Sequence, residues 1–327
     1  MAKRGIDPVD SQTICHRAEI AITRGHKFKV FGGKFRRAFR INLVTIAILA
    51  RGKCGISTCT TRYLLAIATV DILVVTFEII LSKIKNDYFP PSFLDITPMC
   101  SVRYVLRRAI IHCSVWFTIA FTFDRYVTIC CEKLKAKYCN EKTATVVSAA
   151  IGSLLCLKNI PIYFRFEPYE IINNVPWYCS NRDAYSDDPV WQGFNNFEKI
   201  LTPILPFGLI LFLNALTVKH IIVTNRFPQG LKGQSKGDKC SDPEMESRRQ
   251  CMVLLFAISG SFIFMWLWYI LYYFDVDEIL DSDGQYTFKV VAYVLRNLNC
   301  CTNAIVYVAS LPRFREKLKN PLEAIFT

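Results

Sequence analysis

The residues of this sequence able to do chemistry are ionisable side chains set inside long apolar runs. Asp124-Arg125-Tyr126 stands near the end of one such run, and Arg107-Arg108 lies about five helical turns before it. Asp71 sits deep in LLAIATVD, Glu198-Lys199 opens another run, and Arg296 lies within a further one. A charge in hydrocarbon costs several kcal/mol unless it is paired, so intramembrane charges default to functional hypotheses. Arginine suits bidentate carboxylate recognition. Arg107 and Arg296, with Tyr269, Tyr273 and Trp266, are therefore expected to line a pocket for a carboxylate-bearing ligand. The competing expectation is internal salt bridges to Glu78 or Glu198, with Arg108 facing outward. For Asp124-Arg125 alone, snorkelling at the membrane edge is an equally simple reading. Asp71 needs partners, and a protonated, hydrogen-bonded carboxyl would satisfy it.

Enzyme chemistry has no such support. His26, His112 and His220 form no Ser/His/Asp set or metal-ligand spacing with the isolated acids. The fourteen cysteines mostly lie in apolar runs, where a thiol acts as a small apolar group. The formal charge of +13 suggests nucleic acid at first sight. Its distribution over alternating short links, without a folded basic domain, excludes nucleic acid as a partner.

The elements that position these residues are membrane spans. Hydrophobic residues make up 52% of the 327, in unbroken stretches of about 20 residues, the length a helix needs to cross about 30 Å. Six spans are expected near Tyr63–Ile84, Met99–Cys131, Thr143–Phe164, Phe197–Thr224, Gln250–Phe274 and Tyr286–Ala309. A seventh candidate, Ile41–Ala50, is too short to span and follows a basic leader, residues 1–40. The expectation is that a misassigned or alternative exon has replaced the upstream half of this first, truncated span. Links at 51–62, 132–142, 225–249 and 313–319 are rich in Lys and Arg, whereas the alternate links carry Asp87, Asp95, Glu167, Asp183 and Asp187. The positive-inside rule places the basic set in the cytosol. Seven crossings then put the N-terminus outside, against the charge of the leader itself.

The ordered phrases NLVTIAILARGKCGIS, TRYLLAIATVDILVV, FTFDRYVTIC, KNIPIYF, SRRQ, SGSFIFMW, CTNAIVY and RFREKL resemble rhodopsin-like G-protein-coupled receptors, within them the G-protein-coupled receptor 139 group of orphans. The resemblance covers roughly residues 41–319. It implies an all-α fold: a seven-transmembrane bundle over 41–310, then a short amphipathic helix and cytoplasmic tail over 311–327, in the plasma membrane with lipid around it. It further implies a disulfide between Cys100 and Cys179; free thiols are the alternative. Asp71 would meet Ser114, Asn299 and Asn303 around an allosteric sodium ion, with no cofactor required. Phe262 and Trp266 would form a switch under the pocket. Asp124, Arg125, Tyr126, Asn303 and Tyr307 would serve G-protein coupling. Trp268 and Ala304 stand where the wider family has helix-bending prolines, and Arg248 replaces an acidic restraint on Arg125. Phe314 and Leu318 are expected to face lipid from the last helix.

The implied partners are a heterotrimeric G protein of the phospholipase C-coupled class and an extracellular small-molecule or peptide ligand, an aromatic amino acid among the candidates. A non-signalling receptor-like protein or an incomplete receptor is the alternative, favoured by the short first span and the two absent prolines. A transporter is a weaker one, since no inverted repeat is present.

Overall fold

A computed structural model describes residues 39–52, 56–84, 92–182, 184–226 and 243–318. Helix α1 covers Phe39–Ala50. Helix α2 covers Thr58–Val74 and continues as a π-helix over Val75–Ile84. Helix α3 is Thr97–Cys130, and α4 is Glu141–Asn159, extended by a 3-10 turn over Ile160–Arg165. Helix α5 is a rod of three pieces, Pro189–Lys199, a π turn at Ile200–Ile204 and Leu205–Arg226. Helices α6 and α7 are Pro243–Tyr273 and Ser282–Ser310, and a short α8 covers residues 312–318.

Helix ends lie beyond the apolar runs because polar side chains cap them. Asn140 accepts from Thr143 N at 2.8 Å, Asp188 from Val190 N at 2.7 Å and Asp281 from Gly284 N at 3.0 Å. Each satisfies an otherwise orphaned first-turn N–H. This is why α5 begins at Pro189 rather than Phe197, and α7 at Ser282 rather than Tyr286. Pro203 lacks the N–H that a regular α turn requires, and the π turn of α5 accommodates it. Neither α6 nor α7 is interrupted, in keeping with Trp268 and Ala304 at positions where proline would break the ladder.

Five helices among the described residues are long and apolar enough to cross a membrane: α2, α3, α4, α5 and α6. Helix α7 has the length, 29 residues, but carries Arg296, Asn299 and Asn303 on its buried face. Helix α3 is central, with 61% of its most apolar window buried against 17% for α4. Lipid therefore takes most of the surface of α4, including Val146, Leu154 and Leu157.

Over its twelve described residues, α1 is anchored. Asn42 Nδ2 donates to Cys300 O of α7 at 2.9 Å, and Lys317 Nζ of α8 donates to Gly52 O at 2.6 Å. Gly52 closes α1 at φ +66°, a left-handed cap that favours glycine.

Two features depart from expectation. Phe314 and Leu318 do not face lipid: they are 0% and 5% exposed and pack with Tyr307, Leu49 and Leu311 beneath the bundle. The apolar face of an amphipathic helix lies on whichever apolar surface is nearer, and the described residues place the bundle there. The second outer link holds a hairpin that the sequence reading passed over. Strands β2 (Glu170–Ile172) and β3 (Val175–Trp177) pair antiparallel across Asn173-Asn174, both left-handed as a two-residue hairpin turn demands. Strands β1 (Phe166–Glu167) and β4 (Ser180–Asn181) close its base.

Candidate functional site

The disulfide Cys100–Cys179, with Cα atoms 6.2 Å apart, ties this hairpin to the outer end of α3. Thr97 Oγ1 donates to Tyr178 O at 2.7 Å and reinforces the tie. Beneath it lies a cavity of about 260 Å3 reached by α3, α5, α6 and α7. All five residues expected to form a pocket line it: Arg107, Arg296, Tyr269, Tyr273 and Trp266. The volume falls just under the ~300–1,000 Å3 usual for ligand pockets, which suits a small molecule or one end of a peptide.

The internal salt bridges also form, so the two expectations coexist. Glu78, 2% exposed, bridges both arginines; Arg107 Nη2 donates to its Oε1 at 2.9 Å, and Arg296 pairs with the same oxygen. The Arg296 guanidinium also lies 4.5 Å from the Tyr269 ring centre and 4.8 Å from that of Tyr293. Such cation–π contacts strengthen when desolvated.

Arg108 does not face outward. Because α3 is surrounded, two consecutive residues can both point inward, and Arg108 lines the cavity on the side of α5. It lies 3.5 Å from Glu198, whose closer partner is Lys158 at 2.6 Å. His112 Nε2 is 3.5 Å from Glu198 and 3.2 Å from Thr202 Oγ1, while its Nδ1 meets Asn159 and Lys158, each at 3.1 Å. Lys158, Asn159 and Arg165 were missed as site residues. The signal was a Lys-Asn pair inside the apolar run SLLCLKNIPIYF.

Below the cavity, Phe262 and Trp266 stack with ring centres 5.3 Å apart, one turn separated on α6. Trp266 is 3% exposed and packs with Val115, Ile119 and Ile210. Deeper still, Asn303 Nδ2 donates to Asp71 Oδ2 at 2.8 Å. Asp71 Oδ1 and Asn299 Oδ1 are buried acceptors without a hydrogen-bond partner among the described residues. Ser114 and Asn299, with Arg296, line a neighbouring void of about 10 Å3, close to the room one water or small ion needs; Asp71 and Asn303 are not part of its lining. Oxygens that can only accept fit a hard cation.

At the inner end, Arg125 is 1% exposed and pairs with Asp124, its Nε donating to Oδ2 at 3.0 Å. Its Nη1 meets Cys251 Sγ of α6 at 3.3 Å, and Cys59 donates to Asp124 Oδ1 at 2.9 Å. The arginine is thereby held between Asp124 of α3 and Cys251 of α6. The side chain of Arg248 lies outside the described residues. Tyr126 is half-buried beside this clasp, and Tyr307 is fully buried with its ring centre 6.0 Å from that of Phe314. Burial pushes the Cys139 thiol up from its ordinary value, keeping it a neutral partner of Thr128 at 3.3 Å.

The sequence of this chain is similar to those of known proteins. The family described as 7 transmembrane receptor (rhodopsin family) matches residues 41–307. C-C chemokine receptor type 1 of Macaca fascicularis is 23% identical over 292 residues, covering 85% of this chain and 74% of that receptor. Neuropeptide receptor 22 of Caenorhabditis elegans is 22% identical over 285 residues, covering 84% of this chain and 64% of that receptor. These relatives are receptors, not enzymes. With its helical bundle, its bridged outer loop and a match across all the helices α1 to α7, the chain belongs to the rhodopsin family of seven-transmembrane receptors, multi-pass plasma-membrane proteins that signal through G proteins.

Proposed function

We propose that the outer cavity binds a small extracellular ligand, or one end of a peptide, that joins an aromatic group to an acid group. Its occupancy activates a G protein of the phospholipase C-coupled class. The resemblance to the G-protein-coupled receptor 139 group supports the aromatic ligand and the coupling class, and the likeness to a neuropeptide receptor supports a peptide. The observation that carries the reading is that α3 serves both ends. Its Arg107 and Arg108 line the cavity, and its Asp124–Arg125 pair sits about 26 Å further along at 1.5 Å per residue.

A ligand shifts the equilibrium only by binding the active arrangement better. The cavity wall includes Trp266, Tyr269 and Tyr273 of α6, so a ligand that draws on these rings biases the position of α6. Outward movement of α6 breaks the Arg125–Cys251 contact and frees Arg125 for the G protein. Asp71, Ser114, Asn299 and Asn303 would hold a sodium ion, which would supply positive charge to the buried carboxylate; the unpartnered acceptors Asp71 Oδ1 and Asn299 Oδ1 support this.

The test is a G-protein dissociation sensor in cells expressing the full chain. Asp124→Asn, which removes the carboxylate clasping Arg125, raises the basal signal severalfold, and Arg125→Gln abolishes it, both at equal surface expression. A signal equal to that of untransfected cells in the wild type and in Asp124→Asn would instead establish the non-signalling alternative.

A further inference from the structure

We infer that the primary anion anchor of the cavity is the pair Arg108 and Arg165, which takes a carboxylate, rather than the buried pair Arg107 and Arg296. This rests on the reading of the cavity as the ligand pocket and specifies which side of it holds the acid.

Charge accounting separates the two sides. Arg107 and Arg296 share Glu78, which contacts both directly and uses both of its oxygens to do so. Their surplus is one positive charge, carried by a cluster in which Arg296 has a side chain only 4% exposed, enclosed by the rings of Tyr269 and Tyr293 and poorly placed to meet a ligand. On the other side, Arg108 and Lys158 face a single carboxylate, Glu198, and Arg165 lines the same cavity. Lys158 takes that carboxylate at 2.6 Å, leaving Arg108 at 3.5 Å with its side chain 27% exposed. Arg165 has no carboxylate partner among the described residues. Its Nε donates to Asn181 Oδ1 at 2.8 Å, and its guanidinium lies 4.0 Å from the centre of the Tyr185 ring.

The surplus on this side is two positive charges, and Arg108 and Arg165 carry them on the wall of one cavity. Two guanidinium forks around one space are a carboxylate receptor by chemistry. An anion offsets two unneutralised charges here, a larger gain than on the side where Glu78 already lies between its two arginines. Tyr104 and Tyr273 line the same cavity and suit an aromatic group attached to the acid. Because Asn181 belongs to β4, in the loop tethered by Cys179, a ligand bound here also engages the outer loop through Arg165.

The probes are 3-phenylpropionate and its methyl ester, with acetyl-Gly-Phe as free acid and as amide. The readout is thermal stability of the purified full-length chain in detergent. The wild type is stabilised by at least one acid and not by its ester or amide; stabilisation by the peptide acid alone points to a peptide C-terminus as the source. In Arg108→Gln and Arg165→Gln the half-maximal concentration rises about tenfold or more, as loss of a charged hydrogen-bond partner requires. Arg165→Lys retains part of the response. Melting temperatures without probe are compared first. Arg165 pairs with no described acid, so Arg165→Gln still decides the matter should Arg108→Gln fold poorly. Wild-type responses in both glutamine variants would overturn the inference while leaving an acidic ligand in place. No preference of the wild type for acid over ester or amide would overturn both.

Discussion

Glu78→Gln and Arg296→Gln, separately and together, test whether the buried Arg–Glu–Arg cluster holds α2, α3 and α7 in register. The two single changes differ: Arg296→Gln leaves Glu78 paired with Arg107, whereas Glu78→Gln strands both guanidiniums. Without Glu78, two guanidiniums face each other with no acid between them, and Arg296, 4% exposed at its side chain, cannot turn to solvent. Removing one partner of a buried ion pair typically costs about 3–5 kcal/mol, chiefly from the uncompensated charge left behind. Arg107, with its side chain 24% exposed to the cavity, recovers part of its solvation, so the lower end of that range, about 3 kcal/mol, is expected for Glu78→Gln. The double variant removes the acid and the more buried base together. It should be less destabilised than the sum of the singles by about 1–3 kcal/mol, the coupling of groups in one network. A thiol-reactive dye reports unfolding, because Cys59, Cys113 and Cys300 are buried while Cys156 is exposed and sets a constant baseline. Additivity of the three destabilisations within about 0.5 kcal/mol would refute the cluster as a unit.

Cys179→Ser opens a bridge spanning 79 residues of sequence, worth about 4 kcal/mol on a loop-entropy estimate, so surface expression should drop and a reducing agent should add no further loss. Asp71→Asn should abolish any rise in melting temperature on replacing N-methylglucamine with sodium in the buffer; the same rise in both proteins would exclude Asp71 as a ligand of the ion. Phe314→Ala empties a fully buried site beneath Tyr307 and should cost about 3–5 kcal/mol, seen as a lower melting temperature. A lipid-facing Phe314 would instead leave stability nearly unchanged.

Much of the bundle was legible because hydrocarbon imposes a one-dimensional rule: an apolar run of sufficient length must be a helix, and loop charge sets its direction. Helix ends were less legible, since α5 and α7 start in polar turns capped by Asp188 and Asp281 that hydropathy does not register. The Asn173-Asn174 hairpin was written in the sequence as two residues tolerant of positive φ, but the links were read only for charge.

The sequence by itself determined which residues must find partners, because a charge in an apolar run is costly wherever the helix is placed. It thus singled out Asp71, Arg107, Arg125, Arg296 and Glu198. Only the tertiary structure decided who those partners are. Glu78 meets Arg107 and Arg296 across 29 and 218 residues of sequence, Lys158 rather than Arg108 takes Glu198, and Phe314 turns inward to the bundle. Helical periodicity fixes the face on which a side chain lies. What stands opposite that face depends on how seven helices are arranged around α3, and so does the location of the surplus charge.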